Sequence, residues 1–355
     1  MHGKHNFMSL FHIYRHMWKK YNQYKKGWLA MRNVCIVGYG AVGPVHAAAL
    51  EGIENVQLYA VCDINPQKLK ICRDQYGCKV FSDFDEMLLD TNIDAVHICT
   101  PHYLHREMAV KAMTAGKAVV LEKPVGISLA EMEKLRSFSQ EQTKMPLCVM
   151  LQNRTNACVV KLKEQIESRD VGALQGIIAN LNWHRDESYY AQDAWRGKWQ
   201  TEGGGLLINQ AVHLVDLMLY FGGPVKNFES DIHRWGVTGI EVEDTANARI
   251  QFENGAKGIF HATNCYVTDE AFQLELRFEK AHFRYADGLL YEILDGDVRI
   301  LAKDEKLQIG KSYWGCGHQM VIRNFYEGKN YPKIEDAYGA MKFIFEIYDK
   351  KKLEI

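Results

Sequence analysis

Three short stretches of this 355-residue chain carry residue types and spacings that can do chemistry. The first is "VGYGAVGP", Val37 to Pro44, in which Ala41 and Val42 stand between the second and third of three glycines. Glycines so spaced, following a strand and opening a helix, cradle a pyrophosphate. Gly38 permits the tight turn, Gly40 lets the backbone approach the phosphates, and Gly43 lets helix and strand pack closely. Pro44 stands where a first helical turn needs no N–H, and the helix N-terminus offers partial positive charge. Asp63 closes the next apolar run. A carboxylate there accepts ribose hydroxyls and repels a 2′-phosphate, which predicts NAD rather than NADP.

The second stretch is Glu122-Lys123-Pro124, directly after the apolar "AVVL". Ligands of open α/β sheets bind outside the carboxyl ends of the strands. An ammonium at Lys123 can donate there to an alcohol oxygen and stabilise a developing alkoxide. The third is "GGGLLINQAVHLVDLMLYF", where Asn209, His213 and Asp216 are spaced to share one face of a helix over Leu206–Tyr220. The glycines let its first turn approach a ligand. Imidazole titrates near neutrality, so His213 can take a proton. Asn209 can orient a hydroxyl but cannot accept its proton, and Asp216 is expected to orient a neighbour. Just upstream, in "SYYAQDAWRGKW", Tyr189, Tyr190, Trp195 and Trp199 offer flat faces to a sugar ring. Arg196 or Lys198 can hold a carboxylate or phosphate; packing and solvated cations explain the same residues equally well.

Elements must position these groups. From Asn33, short apolar runs alternate with helical segments: "NVCIVG", "VQLYAVCD", "DAVHICT", "KAVVLEK" and "PLCVML" read as strands. Such βα repetition predicts a doubly wound parallel sheet over residues 31–150. Over 151–355 the rhythm changes to successive strands from "LQGIIANLNWH" to "DVRILAKD", with "ENGA" and "LDGD" as turns. That predicts an α+β domain around a large, mostly antiparallel sheet, closed by helices near Gly317–Tyr326 and Ala337–Lys351.

The bulk composition bounds the rest. The length fits two domains. A net charge of −1 gives no field that favours nucleic acid. No stretch has the length and apolarity of a spanning helix. Nine cysteines are scattered singly, without metal or redox spacing, and read as reduced thiols of a cytoplasmic protein. Histidines 97, 102 and 105 are close in sequence, but strand and loop geometry is expected to scatter them. With no acid or cysteine to complete a set, no metal site is expected. Residues 1–30 hold six Lys/Arg, four His and no acid, with aromatic and aliphatic residues on one stripe. They read either as a basic amphipathic extension that meets a surface or partner, or as an appendage outside the fold.

Together, "GYGAVGPVHAAAL", "CTPHYLHREMAVKAMTAGKAVVLEKP", "QNR" and "GGGLLINQAVHLVDL" resemble the Gfo/Idh/MocA oxidoreductases from about Met31 to Ile355. The resemblance implies a Rossmann domain followed by an α/β domain. It also implies a homodimer or homotetramer formed through the open C-terminal sheet. It implies Lys123 and His213 as catalytic residues, Thr100, Pro101 and His105 along the cofactor, and Glu122 at the nicotinamide ribose. Arg154, Trp195, Arg196 and Asn209 join Lys123 and His213 as substrate contacts. Two departures stand out: His102 replaces a common Asn, and Asn209 replaces the Asp of the inositol dehydrogenase branch. The "NQ" form instead resembles sugar and glycoside 3-dehydrogenases.

The expected activity is hydride transfer between NAD and a secondary alcohol of a sugar, cyclitol or glycoside. Two alternatives are an NAD-recycling glycosidase, working by oxidation, elimination and reduction, and a non-enzymatic NAD-binding regulator. Regulators of this type tend to lose the lysine or the histidine, and both are present here.

Overall fold

A computed structural model describes residues 31–141, 145–305 and 315–352. The expected basic extension, residues 1–30, lies outside the described residues. The first unit runs β1 (Arg32–Val37), α1 (Gly43–Leu50), β2 (Val56–Cys62), α2 (Pro66–Tyr76), β3 (Lys79–Phe81), α3 (Phe84–Leu88), β4 (Ala95–Ile98), α4 (His105–Thr114), β5 (Ala118–Leu121), α5 (Leu129–Glu141) and β6 (Leu147–Val149). Its six strands lie in the order β3-β2-β1-β4-β5-β6, and every pairing is parallel. The continuous apolar runs of β1, β4 and β5 follow from burial on both faces. The strand order reverses between β1 and β4, and ligands of open α/β sheets bind in the crevice outside the carboxyl ends of the strands at such a point.

The second unit runs α6 (Ala157–Ser168), β7 (Leu174–Asn182), α7 (Glu187–Ala191), α8 (Leu206–Asn209), α9 (Val212–Gly222) and β8 (Val225–His233). It continues through β9 (Thr245–Phe252), β10 (Lys257–Thr263), β11 (Gln273–Phe278), β12 (His282–Ala286), β13 (Leu289–Leu294), β14 (Asp297–Lys303), α10 (Gly317–Tyr326) and α11 (Ile334–Lys352). The eight strands lie in the order β14-β13-β12-β11-β7-β10-β9-β8; β7 and β10 pair in parallel and the other neighbours are antiparallel. One face packs on α9 and α11. The other leaves Ile178 39% and Ile259 55% exposed on paired positions of β7 and β10. The edge strand β8 escapes the sequence reading because "VKNFESDIH" carries charges where an inner strand would carry apolar residues.

Two features depart from expectation. The helix over Leu206–Tyr220 is broken into α8 and α9. At the break the N–H of Ala211 reaches back five residues to the carbonyl of Leu206, at 2.8 Å. Helix α10, in the span assigned to the second domain, packs against α1: Val321, Ile322, Phe325 and Tyr326 complete the core formed by Val34, Ile36, Leu50, Val120 and Met150.

Arg154, expected to contact substrate, is held in a structural clamp. Its Nε and Nη2 donate to Asp216 Oδ2 and Oδ1 at 2.9 and 2.7 Å. Its remaining donors reach the side chain and carbonyl of Asp336. The guanidinium also lies 4.5 Å from the ring centroid of Tyr220. Asp216 is therefore buried behind the helix, and this fork ties α9 and α11 to the turn after β6. Removing one partner of a buried pair strands the other charge. Asp216→Ala is expected to lose about 3–5 kcal/mol in urea unfolding, and the double variant Arg154→Met/Asp216→Leu less than either single change.

Candidate active site

The glycine loop turns between β1 and α1 under tight steric control. Gly38 has φ +84°, and a Cβ there would stand 2.6 Å from the carbonyl oxygen of Cys99, so no larger residue fits. A Cβ on Gly40 meets nothing within 4 Å: the space above the loop is open. Ala41 and Val42 lead from it into α1. Asp63, at the end of β2, accepts the N–H of Tyr39 at 2.6 Å and that of Asn65 at 2.8 Å. Its carboxylate is thus fixed beside the loop. An open cradle of N–H groups, a helix N-terminus and a fixed carboxylate at the next strand end fit a dinucleotide.

Across the crevice, Glu122 and Lys123 directly follow β5. Lys123 Nζ donates to the backbone carbonyl of Asn209 at 2.8 Å. That carbonyl belongs to the last residue of α8, where helical partners run out. Burial lowers the pKa of Lys123, and the nearby Arg196 adds to the effect. His213 lies in the first turn of α9, with Nε2 3.1 Å from Gln152 Nε2. Burial, reinforced by the Lys123 ammonium, holds His213 well below the usual imidazole range. Its neutral, proton-accepting form therefore persists through neutral pH.

Glu122 is buried, and its oxygens are engaged inside the chain. Oε1 faces His46 Nε2 at 3.1 Å and His318 Nε2 at 3.3 Å, while Oε2 accepts the N–H of Lys123 at 3.2 Å. Burial alone would raise its pKa, but the two imidazoles hold it well below the usual carboxylate range. Behind it, His46 Nδ1 meets His97 Nδ1 at 3.0 Å, and His97 Nε2 meets the hydroxyl of Tyr326 at 2.9 Å. One set of neutral tautomers satisfies the row: Tyr326 donates to His97, His97 to His46, and His46 to Glu122. The donor atoms of His46, Glu122 and His318 lie within 4.8 Å of one another, a spacing that N–H donation to one carboxylate accounts for. The sequence reading missed this row. Its one early signal was a histidine inside the apolar "GPVHAAAL" of α1.

His105, expected along the cofactor, braces two loops. Its Nδ1 and Nε2 lie 2.6 Å from the carbonyl of Pro124 and 2.8 Å from that of Thr100, and it is buried. It joins the Thr100–Pro101 loop to the turn after Lys123. His102 and His105, expected to be scattered, have ring centroids 5.8 Å apart. His102 Nδ1 lies 2.9 Å from the carbonyl of Glu202, and its ring lies 4.6 Å from that of Trp195. Arg196 Nε donates to Asp193 at 3.0 Å, and Nη1 donates to the hydroxyl of Tyr189. A small pocket joins His213 to Trp183 and Phe272. These last two residues also line a cavity of about 740 Å³ together with Tyr189 and Tyr285.

Residues 32–150 match the model of the oxidoreductase family with an NAD-binding Rossmann fold, and residues 159–284 match the GFO/IDH/MocA C-terminal domain. The chain belongs to the Gfo/Idh/MocA oxidoreductase family. Among its relatives, the glucose-6-phosphate 3-dehydrogenase of Bacillus subtilis is 26% identical over 75% of this chain and 78% of the relative. The myo-inositol 2-dehydrogenase of Thermotoga maritima is 27% identical over 78% and 80%. The structure of the WlbA dehydrogenase from Bordetella pertussis in complex with NADH and UDP-GlcNAcA superposes with TM-score 0.80 at 25% identity. That match covers 92% of this chain and 97% of the other.

As a Gfo/Idh/MocA enzyme, the chain is an NAD-dependent dehydrogenase acting on CH–OH groups. No helix among the described residues is long and apolar enough to cross a membrane. The open space at Gly40 gives a direct test of the cofactor cradle. Gly40→Val is expected to keep the apo melting temperature within about 2 °C, because surface changes with room usually cost little. It is expected to weaken NADH binding at least about tenfold in a fluorescence titration, because the branched side chain fills the pyrophosphate's place.

Proposed function

We propose that this dehydrogenase oxidises a secondary alcohol on the ring of a sugar, cyclitol or glycoside, with Lys123 and His213 as the catalytic pair. The observation that carries the reading is the bond from Lys123 Nζ to the carbonyl of Asn209, one turn before His213. It holds the ammonium at the strand end beside the helix that presents the imidazole. The two relatives named above act on ring polyols, as their names state, and aromatic residues line the adjacent cavity. The "NQ" pattern favours carbon 3 of a pyranose.

Bound NAD supplies the hydride acceptor. The rest falls to the chain. Lys123 donates a hydrogen bond to the carbinol oxygen and offsets the negative charge that grows there. His213 takes the hydroxyl proton as the carbon–hydrogen bond breaks and the carbonyl forms. Gln152 borders the imidazole and helps fix its ring. Thr100 and Pro101 line the cofactor's path. Glu122, held as a carboxylate by His46 and His318, would act at the nicotinamide ribose side by fixing the backbone of Lys123. Asn209, Trp195 and Arg196 hold the substrate. The exposed Ile178 and Ile259 support association of copies through the C-terminal sheet. The scattered single cysteines accord with a cytoplasmic setting.

The test is NADH absorbance with NAD and a panel of cyclitols, hexoses, hexose phosphates, aryl glycosides and sugar nucleotides, with product analysis on the same samples. Steady NADH growth is expected with one ring-polyol class. A released aglycone with no NADH would move the assignment to the oxidation–elimination–reduction route. Lys123→Met and His213→Ala are expected to lower kcat by about 10²–10⁴ while keeping NADH affinity. Turnover near wild type in both would overturn the assignment.

A further inference from the structure

Glu202 belongs to none of the groups the sequence singled out, yet it is fully buried at the junction of three functional segments. Its Oε1 accepts from Asn209 Nδ2 at 2.6 Å. Its Oε2 accepts the N–H of Gly197, in the aromatic loop, also at 2.6 Å. Its own backbone carbonyl faces His102 Nδ1, on the cofactor loop.

Burial pushes the pKa of Glu202 up to about 7, so above neutrality the group is a carboxylate, which only accepts hydrogen bonds, and the variants are compared at about pH 8.5. An asparagine that faces one must present its NH₂. The far end of the amide, Oδ1, is then the end left to the crevice, and Asn209 is partly exposed there. We propose that Glu202 is a positioning residue that fixes the polarity of Asn209, so that the substrate meets an acceptor oxygen and donates a ring hydroxyl to it. The proposal rests on the reading that Asn209 faces substrate. It also accounts for the Asn at this position: an Asp would place two carboxylates in contact, and one would have to take up a proton.

The N–H of Gly197 makes the idea testable, because it dictates how a glutamine would sit. In Glu202→Gln the side-chain oxygen stays on Gly197 and the NH₂ turns to Asn209. Asn209 must then flip and offer donors to the crevice. In Asn209→Asp two carboxylates collide. In the double variant E202Q/N209D, the introduced glutamine donates to the introduced aspartate, which again offers an acceptor to the crevice. A merely structural role for Glu202 gives no reason for the second change to repair the first.

The experiment uses the full chain in its wild-type, E202Q, N209D and double-variant forms. NADH affinity within about twofold in all four reports an intact fold and cofactor site. Initial rates are taken with myo-inositol, glucose 6-phosphate and levoglucosan. For whichever the wild type oxidises, E202Q and N209D are expected to lower kcat/KM about 10- to 100-fold, mainly through KM, and the double variant to recover to within about fivefold of wild type. A substrate-free arm stands apart from the proposed activity. In ¹⁵N-asparagine-labelled protein, with N209D giving the assignment, one Nδ2 proton of Asn209 is expected downfield of the free-amide range and to return to it in E202Q. A double variant no better than the single ones, or an Asn209 amide signal unmoved in E202Q, overturns the proposal. Absence of turnover on all three compounds, with the amide shift present, removes those substrates and leaves the polarity of Asn209 supported.

Discussion

A half-buried ammonium must find an acceptor, and in this protein the acceptor is made by breaking a helix. Lys123 leaves the end of a parallel strand in the first unit. The carbonyl it reaches belongs to the second, at the end of the short turn Leu206–Asn209. A continuous helix would engage that carbonyl along its own axis. The interruption at Gln210 and Ala211 turns it toward the crevice, and the Gln210 side chain donates to the hydroxyl of Tyr189 at 2.9 Å. A hydrogen bond to a charged group, stronger than a neutral one, thus joins the end of β5 to the end of α8.

Two further polar clusters protect that geometry from either side. Arg154 and Asp216 lock the far face of α9 to α11, so His213 cannot roll with its helix. On the strand side, the imidazoles of His46 and His318 hold Glu122, whose other oxygen takes the N–H of Lys123. Both clusters are largely buried. In such surroundings a satisfied network rigidifies, whereas an unmatched polar group is costly. The groups with freedom to meet a ligand are the few left between them.

The sequence made the outline legible because its signals were local. The glycine loop, the strand-end lysine and the helical histidine each announce themselves within a dozen residues, through turn chemistry and periodicity. What it hid was partnership across distance. Arg154 read as a substrate contact because nothing near it in sequence shows that Asp216 and Asp336 will surround it. His105 read as a cofactor contact for the same reason, since the Pro124 and Thr100 carbonyls claim it only in three dimensions. The helix break at Gln210 has no glycine or proline to mark it; the surrounding tertiary contacts of Gln210 override good local helix propensity. Glu202 sits next to three glycines that drew attention away from it.

The return of helix α10 has a consequence for how the protein is made. Val321, Ile322, Phe325 and Tyr326 fill the apolar face under β1 and α1, and His318 reaches Glu122 from the same helix. When the ribosome has delivered the whole nucleotide-binding sheet, that sheet still lacks one wall, and the wall is encoded more than a hundred and fifty residues later. Domains that fold as units during synthesis normally close behind the ribosome. Here the last wall of that core is supplied from residues 317–326. A chain that stops short of residues 317–326 therefore leaves the apolar side chains of Val34, Ile36 and Leu50 without the cover that α10 gives them.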